Sequence, residues 1–155
     1  MNWTKRRLMI SSLLFLVVLS ARAQNVRTER DLLGEKQVPA EAYYGVQTAR
    51  ALENFQISGV QVNHYPGFVE AWAIVKLASA QAKTDVGAMK PETLAAIEKA
   101  CNAVLAGKYH DQFQVDWYQG GAGTSTNMNA NEVLARPNRS ANPTVTGSGQ
   151  VKRPR

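Results

Sequence analysis

Gly120, Gly121 and Gly123 fall within four consecutive positions, and Thr124 and Ser125 follow directly, leading into Asn127, Asn129 and Asn131. Glycines this dense allow left-handed backbone and close approach of another group to the main chain. Thr124 and Ser125 stand where helix-capping residues belong, so the segment after them reads as a helix whose first N–H groups face the turn. Such a terminus favours a carboxylate or a phosphate. The Gly-Lys-Ser/Thr ending of a phosphate loop is missing, as is the GxGxxG spacing of a dinucleotide turn, which disfavours a nucleotide. On spacing alone, an ordinary capped helix after a flexible loop outranks a ligand site. Asparagine competes for its own backbone inside helices, so the alternating asparagines either face solvent or belong to a polar network holding a carboxylate or another stretch of chain.

Other reactive residue types are sparse. Cys101 is the single cysteine, which excludes an intrachain disulfide framework and any multi-cysteine metal site. With His64 and His110 the only histidines, no metal site and no cofactor is expected. Cys101 falls on an apolar helical face and reads as a small core residue rather than a nucleophile.

The elements that must position the glycine block fall into three parts. From Asn25 to Gly59, short apolar pieces broken by Gly34, Pro39 and Gly45 predict loops, short strands and one short helix around Thr48 to Phe55. Pro66 opens a helix to about Thr84, where Phe68, Trp72, Val75 and Ser79, with Val69, Ala73, Lys76 and Ala80 beside them, form an aromatic-aliphatic stripe expected to be buried. Pro91 opens another, with Leu94, Ile97, Cys101, Val104 and Leu105 inward and Gly107 as its stop.

The 155 residues bound the chain at one domain, and a formal charge of +6 invites a polyanionic partner. The charge sits at the ends. Residues 1–23 and 136–155 together carry nine basic residues and no acid, while residues 24–135 carry nine basic against twelve acidic, a net of −3. Lys5-Arg6-Arg7, an apolar run from Leu8 to Ser20 and Ala21-Arg22-Ala23 form the three parts of a secretory signal over 1–23. The run is shorter than the ~20 residues a membrane span needs. Cleavage after Ala23 would export the chain, to the periplasm in a bacterium. The tail has no aromatic residues for base stacking, which counts against a nucleic-acid partner.

Gln119 to Ser125, followed by Asn127-Met128-Asn129 and Asn131-Glu132-Val133, resembles the first signature block of the fumarase/aspartase superfamily, in the YQGGAGTS form seen in aspartate ammonia-lyases. Class II fumarases typically carry a WQTGSGTQSNMN type. Arg30-Asp31-Leu32-Leu33-Gly34, Val38-Pro39-Ala40, Tyr43 to Thr48, Arg50-Ala51 and Glu53-Asn54-Phe55 resemble the superfamily's N-terminal segment. Asp111 to Asp116 is similar to its DQFPVD, with Gln114 in place of proline. The resemblance covers 27–135. It implies a mainly α chain: an N-terminal domain of the fumarase/aspartase fold, with short irregular or β pieces first and helices after, ending in a disordered tail over 136–155.

It also implies elimination of ammonium from L-aspartate to give fumarate, through a doubly charged aci-carboxylate stabilised by preorganised donors. Thr124 matches the superfamily's substrate-contacting threonine, flanked by Gly123 and Ser125, and a homotetramer is expected of the intact family. The resemblance lifts a ligand role at Thr124 above the capped-helix reading. After Ala135 the match stops, and the serine loop GSSxMPxKxNP and the GxSxNDxxPT block do not occur, so no catalytic base is assigned and neither Ser125, His64 nor His110 fills the vacancy. A frameshift or truncation is the expectation there, with Pro137 halting the helix. Three classes follow in order: an enzyme remnant inactive alone, a module binding a dicarboxylate or a full-length homologue, and a basic-tailed nucleic-acid binder.

Overall fold

The computed structural model describes residues 25–139, with side chains through Pro137. The expected leader over 1–23 and the tail from 140 onward lie outside the described residues. An antiparallel hairpin comes first: β1 (Val26–Asp31) and β2 (Gly34–Pro39), in register from Val26 opposite Pro39 to Asp31 opposite Gly34. Leu32 and Leu33 form its exposed tip. Helices α1 (Val46–Asn54), α2 (Phe68–Asp85), α3 (Pro91–Leu105) and α4 (Thr124–Arg139) follow, with 3-10 turns at Val62–His64 and His110–Gln112. Helix α2 packs along α3, α4 packs on α1 and α3, and α1 also rests on the hairpin.

The helices start and stop where local chemistry dictates. Gly67, at φ +78°, delivers the chain into α2, with Glu70 in its first turn and Lys83 in its last, both the favourable sign for the helix dipole. Pro91 begins α3, where its missing N–H costs nothing. Beyond α3, the Gly107 and Lys108 N–H groups close back on the Val104 and Ala103 carbonyls.

The core gathers Val38, Val62, Val69, Cys101, Val104, Phe113, Val115 and Val133, all essentially inaccessible. Cys101 is the buried filler its position predicts, and burial pushes its thiol up, away from the reactive thiolate. Three expectations change. On α3, Leu105, read as inward, is 40% exposed at the end of the helix. On α2, Val69, Ala73 and Ala80 are buried and Phe68 and Trp72 pack partly buried on the core, while Val75 and Ser79 are exposed. Small side chains let α2 lie close along α3, and that packing selects the row adjacent to the aromatic one. Helix α4 also does not stop before Pro137 but runs through it to Arg139. A proline in the last turn removes one hydrogen bond from the helix end, and the Arg136 guanidinium donates to the Ala40 carbonyl at 3.0 Å, which holds that turn in place.

Polar ties join the pieces across long sequence separations. Arg27 donates to the carbonyls of Pro39, Ala40, Ala42 and Tyr44, clamping the segment after the hairpin. Arg50 on α1 grips Asp31 with two bonds of 2.9 Å, and Gln47 adds a third at 2.7 Å. The α1 N-terminus receives Glu132 from α4: one carboxylate oxygen accepts from the Gly45 and Thr48 amides at 2.9 and 3.0 Å and the Thr48 hydroxyl at 2.7 Å, the other from the Gln47 amide at 2.9 Å. Glu29 accepts from the Val46 amide at 3.0 Å. Two carboxylates therefore close on Gly45, and a Cβ there would stand 2.7 Å from the Glu29 oxygen and 2.8 Å from the Glu132 oxygen.

Gly45 has an ordinary extended φ of −120°, so space alone demands glycine. Gly45→Ala is expected to lower stability by about 1–3 kcal/mol, the usual cost of overpacking, read as a fall in melting temperature with unchanged far-ultraviolet dichroism at low temperature. The hydrogen bond from Arg50 holds the Asp31 carboxyl below its ordinary range against the opposing effect of burial. Because the folded value lies below the unfolded one, this stabilisation is complete above about pH 4 and is lost as pH falls through the folded value. Melting temperatures measured from pH 6 to pH 2 should therefore fall less steeply below pH 4 in Asp31→Asn than in the parent chain. Equal slopes would rule out the Asp31 contribution.

Candidate functional site

The approach to the glycine block is fixed by Asp116. Val115 and Trp117 exchange backbone bonds with Val62 and Val60, at 3.0 and 2.7 Å, so the 113–117 segment runs beside the chain leading into α2. One Asp116 oxygen accepts from the amides of Ile57, Ser58 and Gly59, at 3.2, 3.0 and 3.0 Å. The other accepts from the Ser58 hydroxyl and the Tyr118 amide, both at 2.7 Å. Burial acts to raise its pKa, but the Ser58 hydroxyl and the converging amides outweigh it and hold the carboxyl below the usual range. Asp116 is thus an ionised staple that sets where the turn begins.

The turn itself is left-handed at three successive residues, with φ of +82° at Gly121, +52° at Ala122 and +83° at Gly123. Glycine takes this conformation freely, whereas Ala122 carries a steric cost of roughly 1–2 kcal/mol. Gly120 is not held to glycine in this way, since a Cβ there would meet the Phe55 ring at an ordinary contact distance of 3.5 Å.

The capping at α4 differs from the expectation. The Thr124 hydroxyl donates back to the Gly121 carbonyl at 2.6 Å, closing the turn rather than capping the helix. Gln119 supplies the cap: its carbonyl oxygen accepts from the Thr126 amide at 2.9 Å, while its NH₂ donates to the Asp116 carbonyl at 2.8 Å. A long amide reaching over the turn satisfies the third N–H of the helix, a role normally given to Ser, Thr, Asp or Asn at the cap position itself. The Ser125 amide has no acceptor among the described residues, so one backbone donor stays open beside the exposed Thr124 and the half-buried Ser125.

The asparagines separate. Asn127 accepts a hydrogen bond from the Lys76 ammonium on α2. Asn129 is fully buried, donates to the Gln112 carbonyl at 3.0 Å and keeps an unpartnered side-chain oxygen. Asn131 is exposed. The three do not form one network: Asn127 ties α4 to α2, and Asn129 ties α4 to the segment before it.

Gly123, Thr124 and Ser125 therefore stand together at one helix start, while the Asn127 side chain meets α2 and that of Asn129 the segment before α4. Neither histidine lies there. His110 bonds the Val104 carbonyl at 2.8 Å, and His64 sits edge-on to Tyr65. Among the described residues, no group of three or more His, Cys, Asp or Glu is placed to hold a metal ion. Gln119, Asp116, Lys76 and Glu132 carry structural roles that spacing did not flag. The short-range part of this was accessible, since Gln119 lies seven residues before the amide it caps.

The sequence model of a lyase family matches residues 34–153, extending past Ala135, where the motif resemblance stops. The aspartate ammonia-lyase of Pseudomonas fluorescens is 51% identical over 120 residues, which are 77% of this chain and 25% of that enzyme. Class II fumarate hydratase of Halobacterium salinarum is 53% identical over 113 residues, 73% of this chain and 24% of the relative. The crystal structure of a fumarate lyase:delta crystallin from Brucella melitensis superposes with a TM-score of 0.71 and 47% identity, over 75% of this chain and 27% of its own. The chain thus spans about a quarter of the length of the relatives it matches. With a family match over most of its residues and relatives more than half identical, the chain belongs to the fumarase/aspartase lyase family.

Proposed function

We propose that this chain carries the carboxylate-binding block of an aspartate ammonia-lyase, the enzyme that eliminates ammonium from L-aspartate to give fumarate. The observation behind this reading is the start of α4: an open Ser125 amide, the Ser125 hydroxyl and the exposed Thr124 beside a left-handed turn that brings backbone close to an incoming group. The GGAGTS form of the turn favours aspartate over malate as the substrate, and aspartate ammonia-lyases stand beside fumarate hydratase among the relatives.

In this role the Ser125 amide and hydroxyl would donate to a substrate carboxylate. The Thr124 hydroxyl, now donating to Gly121, would turn to the incoming oxygen. Negative charge growing on that carboxylate in the transition state would meet donors already in place. The Gly, Thr and Ser side chains of this block include no ordinary proton acceptor for a carbon acid, so the role read for the block is binding without the base.

The 155-residue chain is expected to form no fumarate from L-aspartate, followed by ultraviolet absorbance, yet to show saturable shifts of the Ser125 amide on titration with L-aspartate or fumarate in nuclear magnetic resonance. Turnover by the purified chain, or amide shifts no larger than those given by chloride at equal ionic strength, would overturn the assignment. A second reading, a module that docks on a full-length homologue, rests on the short span of the chain against its relatives. It predicts co-elution with that homologue in gel filtration.

We further read the chain as exported, on the basic cluster, apolar run and small-residue site of residues 1–23. Intact mass of the protein recovered from a secreting host should then correspond to a mature N-terminus at Gln24. A mass retaining Met1 or the apolar run would reject the export reading.

A further inference from the structure

Helix α2 is apolar on two opposite sides. Its inner row, Val69, Ala73 and Ala80, packs into the core, while on the far side Ala71, Ile74, Val75, Ala78, Ala82 and Val86 recur at helical spacing and are all exposed. Ile74 and Val75 are each 56% exposed, and Val86, at the C-cap, is 77% exposed. Between Glu70 and Lys83 the only charged residue of the helix is Lys76, and its ammonium is turned to Asn127 of α4. Helix α3 shows what a solvated face in this fold looks like, with Glu92, Glu98, Lys99 and Asn102 on its outer side. A helix that is apolar all round belongs in an interior, so the outer side of α2 calls for a cover.

The apolar face extends beyond that stripe. Phe68 at the start of α2 packs against Trp117 with ring centres 5.2 Å apart, and Trp117 against Tyr65 at 4.1 Å. Trp117 and Tyr65 are both more than a third exposed, so this aromatic cluster continues the stripe past the N-terminal end of the helix. Stripe and cluster together expose on the order of 700 Å² of side chain, above the few hundred that a monomer normally leaves uncovered. Two such faces supply about 1,400 Å², the size of a specific protein interface.

The face is also complementary to itself. Phe68 and Val86 are 18 positions apart, which is five full turns, so they stand on one line along the helix, with Ala78 near the middle of the stripe between them. A second copy laid antiparallel across the stripe puts the two-fold axis near Ala78, Val86 of each copy over Phe68 and the aromatic cluster of the other, and Ile74 over Ala82. Bulky side chains then meet small ones in the middle, and the most exposed valine meets an aromatic floor at each end. The antiparallel setting also places the positive end of each helix beside the negative end of the other. We propose that α2 carries an isologous dimer contact, in which two copies of this chain pair antiparallel through Ile74, Val75, Ala78, Ala82 and Val86 and close over the aromatic cluster at each end. This contact is independent of the carboxylate reading of α4.

Sedimentation velocity of the full 155-residue chain, from about 1 μM to about 1 mM, should show a reversible equilibrium between monomer and dimer, as expected of an apolar interface of this size. Val75→Glu puts an unpaired carboxylate into the contact and should weaken dimerisation by about tenfold or more. Its melting temperature at low protein concentration should match the parent's, because Val75 is exposed in the monomer. Ala78→Cys should give a disulfide-linked dimer when oxidised glutathione is supplied, since the two copies meet near that residue, while the parent, whose one thiol at Cys101 is buried, should give none. A parent chain that stays monomeric throughout this range would overturn the proposal, as would a dimer that survives Val75→Glu or stays unlinked in Ala78→Cys. A dimer that disappears in a chain beginning at Gln24 would also overturn it, because the apolar run of residues 8–20 would then be making the contact.

Discussion

Glu132 lies on α4, yet the backbone it satisfies belongs to α1, some 85 positions earlier in the chain, with separations of 84 to 87 residues for the individual bonds. An α-helix begins with N–H groups that have no partner within it, and burying them unpaired is among the costlier faults a fold can have. Here three amides and a hydroxyl converge on one carboxylate. Because it can accept only when Gly45, Gln47 and Thr48 are all at the right height, Glu132 fixes the axial position of α4 against α1. Gly45 is the complement of that constraint, a residue without a side chain where two carboxylates need the space. The hairpin follows from it, since Gln47 in that same first turn and Arg50, one turn further along α1, grip Asp31 at the end of β1.

The same device recurs at smaller scale. Asp116 gathers the amides of Ile57, Ser58, Gly59 and Tyr118, and Gln119 carries that order onward to the Thr126 amide of α4. Glu132 therefore fixes the far part of α4 and Asp116 with Gln119 its beginning, leaving a short left-handed turn between two rigid anchors. Holding Ala122 in a conformation that a Cβ disfavours is affordable only because the anchors over-determine it.

How much of this was legible in the sequence depends on the range of the interaction. Helices α2 and α3 could be read to within about two residues because Pro66, Pro91 and Gly107 act through their own backbone. Cys101 was placed correctly in the core by its neighbours at helical spacing. On α2 the stripe was read too wide: Val69, Ala73 and Ala80 are buried and Phe68 and Trp72 lean on the core, but Val75 and Ser79 turn outward, a choice made by α3. The passage of α4 through Pro137 was missed because Arg136 bonds to Ala40, 96 positions away. At the site, the glycines and Thr124 declared a turn and a helix start, but the cap was assigned to the wrong side chains, since a glutamine looping over a glycine turn leaves no fixed spacing to recognise. Glu132 and Lys76 gave no local signal at all, because a charged residue in a helix ordinarily means a solvated face.

The two helix starts differ in a way that bears on function. At α1, two carboxylates, Glu29 and Glu132, meet the positive end of the helix, and nearly every donor there is satisfied by the chain itself. At α4, the first turn carries no acidic residue, one amide remains open, and the Lys76 ammonium reaches Asn127 in the following turn. Both starts follow the same physical rule, yet only the first is neutralised within the chain. A fold that closes one helix end so thoroughly and leaves the other with unbalanced positive charge concentrates its unmet electrostatic demand in one place. A carboxylate, the group proposed for this helix start, would bring the negative charge that the chain itself does not supply there.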